Sequence, residues 1–408
     1  MLLKERYIAW SATEREGRLP ALDGARALFV FIVASFHIWQ QSWLTPAITV
    51  GNWRYSLDPW LRSGYMWVDA MLMLSGFLLF LPYAATAEEG KPAPRIWPFY
   101  KKRLLRIVPS YYLCVLVMLV FVALPKGSYD TDGALDWWKM GRDLLAHATF
   151  THTLFQFSYT GSPLNGALWT LGVEMQFYLI FPFLGRVFRR WPLPTYLAML
   201  AVAVGWREWV RLQPDSTLLF NQLPGQMEAY ANGMLAAGVY TALKRRMKQD
   251  RWTRILFTAL LAVCVVGIGQ LVRGQASSNG YENIRLGQME RRFGLSGLCA
   301  LSLLGLLYGA RPLRLIFGNR VTAFLSAVSF QFYMWHQVFA VQLKEWHIPA
   351  SVSETPWMAS EQSWQVLYTL LCYGGALAIA TLVTYAFERP IARLGGGAKA
   401  GSASRKHK

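Results

Sequence analysis

Arg26 and His37 are the first residues in the chain whose side chains could carry out chemistry. They lie at the two ends of one apolar run. The two positions are eleven apart, about three helical turns, so a helix presents both side chains on nearly one face. In a membrane-spanning helix His37 lies near mid-depth. An ionisable side chain there is costly, which indicates either a functional site or a packing histidine that hydrogen-bonds a neighbouring helix.

Further ionisable side chains stand at comparable places in other apolar segments. Glu174 and Tyr178 are four apart in NGALWTLGVEMQFYLIFPFL, and Tyr333 and His336 are three apart in VSFQFYMWHQVF. Counted from the outer ends of the predicted helices, His37, Glu174 and His336 all lie about seven to eight residues in, roughly 11 Å deep at ~1.5 Å per residue. The shared depth predicts a common polar cavity.

A basic segment, FYKKRLLRIVPSYY, opens the third apolar run. Its Arg103 and Arg106 are three apart and share a helix face. Arginine suits bidentate contacts to phosphate, so the pair is a candidate phosphate site; the alternative is a positively charged anchor at the cytoplasmic membrane edge. Asp69, in VDAMLMLSGFLL, is expected near the outer edge, where it can reach water and serve structure or function.

The elements that position these residues follow from composition. The 408 residues are 54% hydrophobic and 16% charged, whereas soluble domains carry about 25% charged residues. Eighteen tryptophans fit aromatic belts at two membrane interfaces. The prediction is an all-α, polytopic membrane bundle. Ten segments of about 20 mostly apolar residues are expected to span the bilayer: 25–44, 65–85, 106–124, 166–187, 193–210, 223–243, 255–272, 293–310, 321–343 and 364–387.

Charge patterning orients these spans. With both termini in the cytoplasm, 28 Lys and Arg fall in cytoplasmic segments and 12 in outer ones. This bias follows the positive-inside rule and explains the net charge of +18 without a nucleic-acid partner. The four cysteines lie in apolar runs and no close set of His, Asp or Glu ligands occurs, so no metal site is predicted.

Residues 1–393 are therefore expected to form one transmembrane domain. Residues 394–408, rich in Gly, Ser and Lys, are expected to form a disordered, basic cytoplasmic tail. The outer loop at about 125–165, with Trp137 and Trp138 before an amphipathic pattern, is expected to lie along the membrane interface or to re-enter it.

Six stretches together resemble one family, the integral-membrane acyltransferase-3 proteins. The matching stretches, in the family's order over nearly the whole chain, are ALDGARA, VDAMLMLSGFLL, YKKRLLRIVPSYY, ALWTLGVEMQFYLIFPFL, SFQFYMWHQVF and FERP. The resemblance implies a ten-span α-helical bundle in the cytoplasmic membrane. It also implies transfer of an acyl group, with acetyl expected, from cytosolic acyl-CoA to a hydroxyl of a glycan, an exopolysaccharide or a macrolide-type product.

The resemblance also implies roles for individual residues. His37 is the expected catalytic residue, and Arg26, Arg103 and Arg106 are the expected CoA-binding residues. With His37 as general base, Glu174 is expected to orient its imidazole.

The expected substrate-binding residues are Asp69, Tyr178, Tyr333 and His336. Met175 stands where the family more often has a second acidic residue, and this departure concerns the acceptor side. The competing interpretation is a transporter or exporter of glycans or acylated products. It explains many spans and buried charges, but not a pair of arginines below an intramembrane histidine.

The charge bias generates a prediction about orientation. Reporters fused after Arg246 and at the C-terminus are expected in the cytoplasm, and a reporter inserted near Asp132 outside it, because basic residues are retained on the cytoplasmic side. Paired alkaline phosphatase and fluorescent-protein fusions measure this. A cytoplasmic signal from the Asp132 site contradicts the orientation.

Overall fold

The computed structural model describes residues 19–395, with side chains to residue 393. Most of these residues are helical, as the composition predicts. The fifteen α-helices of the described chain, in order, are α1 (Pro20–Ser42), α2 (Asp58–Arg62), α3 (Trp67–Glu88), α4 (Ile96–Met118), α5 (Trp137–Ala148), α6 (Gln156–Tyr159), α7 (Trp169–Arg190), α8 (Pro192–Arg211), α9 (Leu223–Arg246), α10 (Arg251–Ala276), α11 (Tyr281–Tyr308), α12 (Arg311–Phe317), α13 (Arg320–Glu345), α14 (Gln362–Val383) and α15 (Arg389–Gly395).

Short π-helical turns extend two of these helices, at Leu119–Ala123 after α4 and at Thr384–Glu388 after α14. Two small antiparallel hairpins were not predicted. One pairs β1 (Ala47–Val50) with β2 (Trp53–Ser56), and the other pairs β3 (Asp130–Thr131) with β4 (Ala134–Leu135). The predicted tail at 394–408 lies outside the described residues except for its first two, which end α15.

Each of the ten predicted spans overlaps one long helix of the described chain. Six of the helices are long and apolar enough to cross a bilayer, or seven if the bent pair α11 and α12 counts as one span. The helical membrane class is therefore confirmed, and the count of ten crossings stays a prediction. Among the helices outside this set are α9 and α13, the two that the sequence shows as least apolar. Both are buried along much of their length, so neighbouring helices rather than lipid surround their polar side chains.

Parts of three helices meet at one end of the bundle. Leu19, Leu81 and Glu388 meet around one cavity, so the beginning of α1, the later part of α3 and the end of the α14 region share an end. We call it the inner end, since the charge bias predicts that it faces the cytoplasm. The opposite, outer end carries the β1–β2 hairpin and α5.

The outer segment 125–165 has an exposed apolar helix and a buried end. Helix α5 exposes Trp137, Trp138 and Leu145, as an interfacial helix does. Further along, Asn165 and Leu168 are 4% and 0% exposed, so the chain dips into the bundle before α7 begins.

One buried carboxylate, that of Asp143, links separate parts of this outer segment by hydrogen bonds. Asp143 accepts hydrogen bonds from Ser158 (2.5 Å), Tyr129 (2.6 Å) and Ser162 (2.7 Å). All four side chains are largely withdrawn from solvent, and each buried oxygen of Asp143 is satisfied. The network gives the segment a fixed shape where it enters the bundle.

The backbones of helices α3 and α9 lie in close contact at two glycines. A Cβ atom at Gly233 would meet the backbone of Met73, and one at Gly76 would come within about 2.5 Å of the carbonyl oxygen of Tyr230. Small residues commonly permit such contacts between membrane helices. Ser75, next to Gly76 on α3, in turn donates a hydrogen bond to Glu174 of α7 at 3.0 Å.

Gly233→Ala is expected to lower the thermal unfolding midpoint, because the added methyl group forces α3 and α9 apart at a cost of about 1–3 kcal/mol. Gly238→Ala on the same helix is the matched control, since its Cβ would approach only Phe80, at 3.9 Å. Thermal unfolding in detergent compares the two. Equal midpoints for both variants contradict the close-packing argument.

Candidate active site

A cavity of about 120 Å³ lies inside the bundle toward its inner end. Arg26 of α1, Arg103 and Arg106 of α4 and Glu174 of α7 line it together. Three guanidinium groups and one carboxylate thus line one cavity, and Arg103 and Arg106 both reach it from α4, as expected of residues three apart on one helix face. We call this the inner cavity.

Aromatic rings fix the two arginines of α4. The guanidinium carbon of Arg103 lies 5.4 Å from the ring centre of Tyr178 and 5.8 Å from that of Phe99. Arg106 lies 6.0 Å from the ring centre of Phe330. Such contacts hold a cation while leaving its N–H groups available to a ligand. By contrast, Lys101 and Lys102 are exposed and do not line the inner cavity.

Glu174 is fixed by its neighbours on α3 and α7. Its Oε1 accepts a hydrogen bond from Ser75 Oγ at 3.0 Å and another from Tyr178 OH. The second contact confirms that Glu174 and Tyr178 share a face of α7. Tyr333 also lines the inner cavity, and its phenolic oxygen accepts a hydrogen bond from Thr170 at 3.0 Å.

His37 lies beside His336, with ring centres 5.3 Å apart. Its Nδ1 is 3.1 Å from Oε1 of Gln40. Because an amide oxygen only accepts, Nδ1 carries the hydrogen and Nε2 is left as the basic nitrogen. Gln40 was not expected in this role; its i, i+3 position after His37 is the only signal for it in the sequence.

The expected contact between Glu174 and His37 is wrong. Glu174 bonds Ser75 and Tyr178, His37 bonds Gln40, and the inner cavity ends on α1 at Val30. Val30 and His37 share a helix face but are about 10 Å apart along the axis.

Of the three residues predicted to share one depth, the two histidines lie together. Glu174 was counted from the start of its helix, but Ala167 and Leu168, just before α7, are already 2% and 0% exposed. The helix thus begins inside the protein, and Glu174 lies deeper than the count suggested.

His336 is fully buried, and its Nδ1 lies 3.1 Å from the carbonyl oxygen of Phe332. That carbonyl accepts the Nδ1 hydrogen, so Nε2 carries the lone pair. The Nε2 atom has no hydrogen-bond partner among the described residues. Both histidines therefore present a basic nitrogen where the structure brings them together.

Asp69 was predicted to bind substrate near the outer edge, and its placement differs. It is 0% exposed, and its Oδ1 accepts a hydrogen bond from Arg292 Nε at 2.9 Å. It does not line the inner cavity. Arg292, which is also buried, comes from α11, so the ion pair joins two helices. No pattern in the sequence could have matched these two residues.

A second cavity, of about 470 Å³, leads from the inner end toward the first. The two share Arg26 and Arg106, and Asp23 and Glu388 line the second one. We call it the mouth cavity. Glu388 accepts a hydrogen bond from Gln331 at 2.8 Å.

No role was assigned to Glu388 or Gln331 from the sequence. The signal in the sequence that could have found Glu388 is its position as an acidic residue at the end of an apolar run. Metal ligands are not gathered anywhere in the part of the chain that the structure describes.

Comparison with known proteins places this geometry in context. Residues 19–387 match the acyltransferase-3 family model, described as an acyltransferase domain. The chain is 26% identical over 200 residues to the peptidoglycan O-acetyltransferase OatA of Listeria monocytogenes, covering 46% of this chain and 27% of that protein. It is 28% identical over 178 residues to the O-acetyltransferase OatA of Staphylococcus aureus, covering 40% and 24%.

The nodulation protein 10 of Rhizobium leguminosarum bv. viciae is 30% identical over 178 residues, covering 40% of this chain and 46% of that protein. The aligned part is thus less than half the length of each of these relatives. No solved structure matches the chain. The family match spans nearly all the described residues, and the chain belongs to the acyltransferase-3 family.

Proposed function

We propose that this protein is a membrane O-acyltransferase that takes an acyl group, with acetyl expected, from cytosolic acyl-CoA to a hydroxyl of a carbohydrate acceptor. The observation that carries the proposal is the cluster of Arg26, Arg103 and Arg106 around one cavity that continues into a mouth at the inner end. Family membership supports the reaction class. Two relatives are named O-acetyltransferases, one of them acting on peptidoglycan, which supports a glycan acceptor.

The donor enters through the mouth cavity. CoA is a phosphate-rich anion, and guanidinium groups bind phosphate through paired N–H donors. Arg106 and Arg26 line both cavities, so they meet a ligand that passes from one to the other. The remaining wall of the inner cavity includes Val30, Leu72 and Ile107, an apolar lining suited to the uncharged arm of the donor.

Glu174 adjusts the charge of this cluster. One carboxylate among three guanidinium groups leaves a net positive site that attracts an anion without binding it irreversibly. The hydrogen bonds from Ser75 and Tyr178 keep the carboxylate in place. We assign Glu174 to the arginine cluster, with Tyr178 as the contact between it and Arg103.

His37 is the proposed general base. Its Nε2 removes the proton from the acceptor hydroxyl while the hydroxyl oxygen attacks the thioester carbonyl. The carbon–sulfur bond then breaks, and the CoA thiolate receives the proton from the imidazolium. Gln40 holds the tautomer that this step needs. The acyl end of the donor must extend beyond Val30 along the face of α1 to reach the imidazole.

Replacing Arg103 or Arg106 by Ala is expected to raise the KM for acyl-CoA roughly ten- to a hundredfold, because each loses charge-assisted contacts of about 1.5–3 kcal/mol. Lys at either position restores binding only in part, since the planar fork is lost. Steady-state acylation measures the effect. Lys101→Ala is the matched control, because this exposed neighbour does not line the cavity. If the KM for acyl-CoA is unchanged in both Arg variants, the pair serves only as a positively charged anchor at the membrane edge.

His37→Ala is expected to lower turnover by about 10²–10⁴, the usual effect of removing a general base. His336→Ala is expected to lower it less and to act mainly through the acceptor. Gln40→Ala gives an intermediate loss, because the ring keeps its nitrogen but loses its fixed tautomer. Turnover with saturating acyl-CoA, corrected for folded protein, compares the three. Normal turnover in His37→Ala, with His336→Ala inactive, reverses the assignment.

A further inference from the structure

The short helix α12 lies across the inner end of the bundle. It turns by 113° from α11, at a break that covers Gly309 and Ala310. Its end packs beside the beginning of α1, since a Cβ atom at Gly318 would lie 3.2 Å from the Cβ of Pro20. If α11 crosses the bilayer, α12 therefore runs along the membrane surface that the charge bias assigns to the cytoplasm.

Two faces of α12 differ in character. Leu313 and Phe317 pack against the hydrophobic core. Arg311 and Arg314 are three apart and share a different face, on which Arg311 is exposed and Arg314 is half-buried. A helix with one apolar and one basic face is typical of the boundary between a membrane and water.

A third arginine reaches the same place from α10. The backbone N–H of Ala310 donates a hydrogen bond to Thr258 Oγ1 at 2.9 Å, which holds the start of α12 against α10. Arg254 precedes Thr258 by one turn and shares its helix face. Arg254 and Arg311 are accordingly the charged neighbours of Arg314. We call Arg254, Arg311 and Arg314 the basic cluster.

The charges of the basic cluster are not balanced by protein. None of the acidic side chains in the described part of the chain forms an ion pair with it. Asp250, four residues before Arg254, accepts a hydrogen bond from the backbone N–H of Thr253 at 2.8 Å. Arg254 donates one weak hydrogen bond, to the carbonyl oxygen of Gln249 at 3.5 Å, and Nε of Arg314 is buried with no partner among the described residues. Three neighbouring guanidinium groups repel one another unless an anion joins them.

The basic cluster adjoins a surface suited to lipid. Ile255 and Leu256 follow Arg254 on α10 and are exposed, and Ile316 of α12 is exposed as well. Helix α10 is among those long and apolar enough to cross a bilayer. Basic pockets between membrane helices on the cytoplasmic side bind anionic lipid headgroups. A soluble anion would meet the same arginines but would leave these apolar side chains uncovered.

We propose that the basic cluster binds the headgroup phosphate of one anionic lipid from the cytoplasmic leaflet, with the acyl chains of that lipid against α10. The site goes beyond the proposed function, because none of its three arginines lines the inner cavity or the mouth cavity. Bound lipid offsets the repulsion within the cluster and thereby stabilises the packing of α12 between α10 and α1.

Native mass spectrometry of the protein in detergent compares phosphatidylglycerol, which is anionic, with phosphatidylcholine, which carries a phosphate but no net charge. The protein is expected to retain phosphatidylglycerol more tightly. Arg254→Gln and Arg311→Gln, both at exposed positions, are each expected to weaken its binding about fivefold, the effect of one basic residue near an anionic lipid. Lys101→Gln is the matched control, because it removes an exposed positive charge outside the cluster.

Competitors distinguish a lipid from a soluble anion. Inorganic phosphate and acetyl-CoA, each at millimolar concentration, are expected to leave phosphatidylglycerol bound. Displacement by inorganic phosphate assigns the cluster to a soluble anion, and displacement by acetyl-CoA assigns it to the donor; either result overturns the proposal. Equal retention of the two lipids, or equal binding of phosphatidylglycerol by the Arg variants and the Lys101→Gln control, also overturns it.

Thermal unfolding in lipid nanodiscs tests the stabilising effect. Exchange of phosphatidylcholine for phosphatidylglycerol is expected to raise the unfolding midpoint of the unsubstituted protein and of Lys101→Gln, and to raise that of Arg254→Gln and Arg311→Gln less. An equal rise in all of these proteins attributes the effect to general surface charge and contradicts the proposal. Both experiments measure lipid binding without turnover, so their outcome is independent of acyl transfer.

Discussion

A charged side chain inside a helical membrane bundle must find an opposite charge, a hydrogen-bond donor or water, and the described structure meets this requirement around Glu174. Its carboxylate lines one cavity with Arg26 of α1 and with Arg103 and Arg106 of α4. Without it the three guanidinium groups would repel one another, and without them the carboxylate would be a buried, unpaired charge. The candidate donor site thus depends on a balance of charges that three helices contribute.

The same requirement explains the polar sequences of the central helices. On the outer side of the bundle Asp69 pairs with Arg292, and Glu228 of α9 pairs with Arg207 at 3.2 Å. Glu228 is 1% exposed, so protein rather than lipid surrounds it. A helix enclosed in this way need not be apolar all round, which is why α9 and α13 have low hydropathy although both are long and buried. The first ion pair joins helices distant in sequence and the second joins the consecutive helices α8 and α9, and both are separate from the catalytic proposal.

The features that the sequence determined by itself are those that depend on a single helix. The apolar segments, the common face of Arg103 and Arg106, and the contact between Glu174 and Tyr178 follow from helical periodicity, which acts over a few residues. The family resemblance, carried by six stretches in order, is confirmed by the match over residues 19–387.

Only the tertiary structure decided which helices face one another and how deep each begins. Asp69 pairs with Arg292 of α11, more than two hundred residues away, and Glu174 lies with the arginines rather than with His37. The buried segment before α7 shifts that helix inward, and no periodicity within the helix records the shift. Depth and partnership depend on the packing of other parts of the chain, so a count of residues along one helix could not supply them.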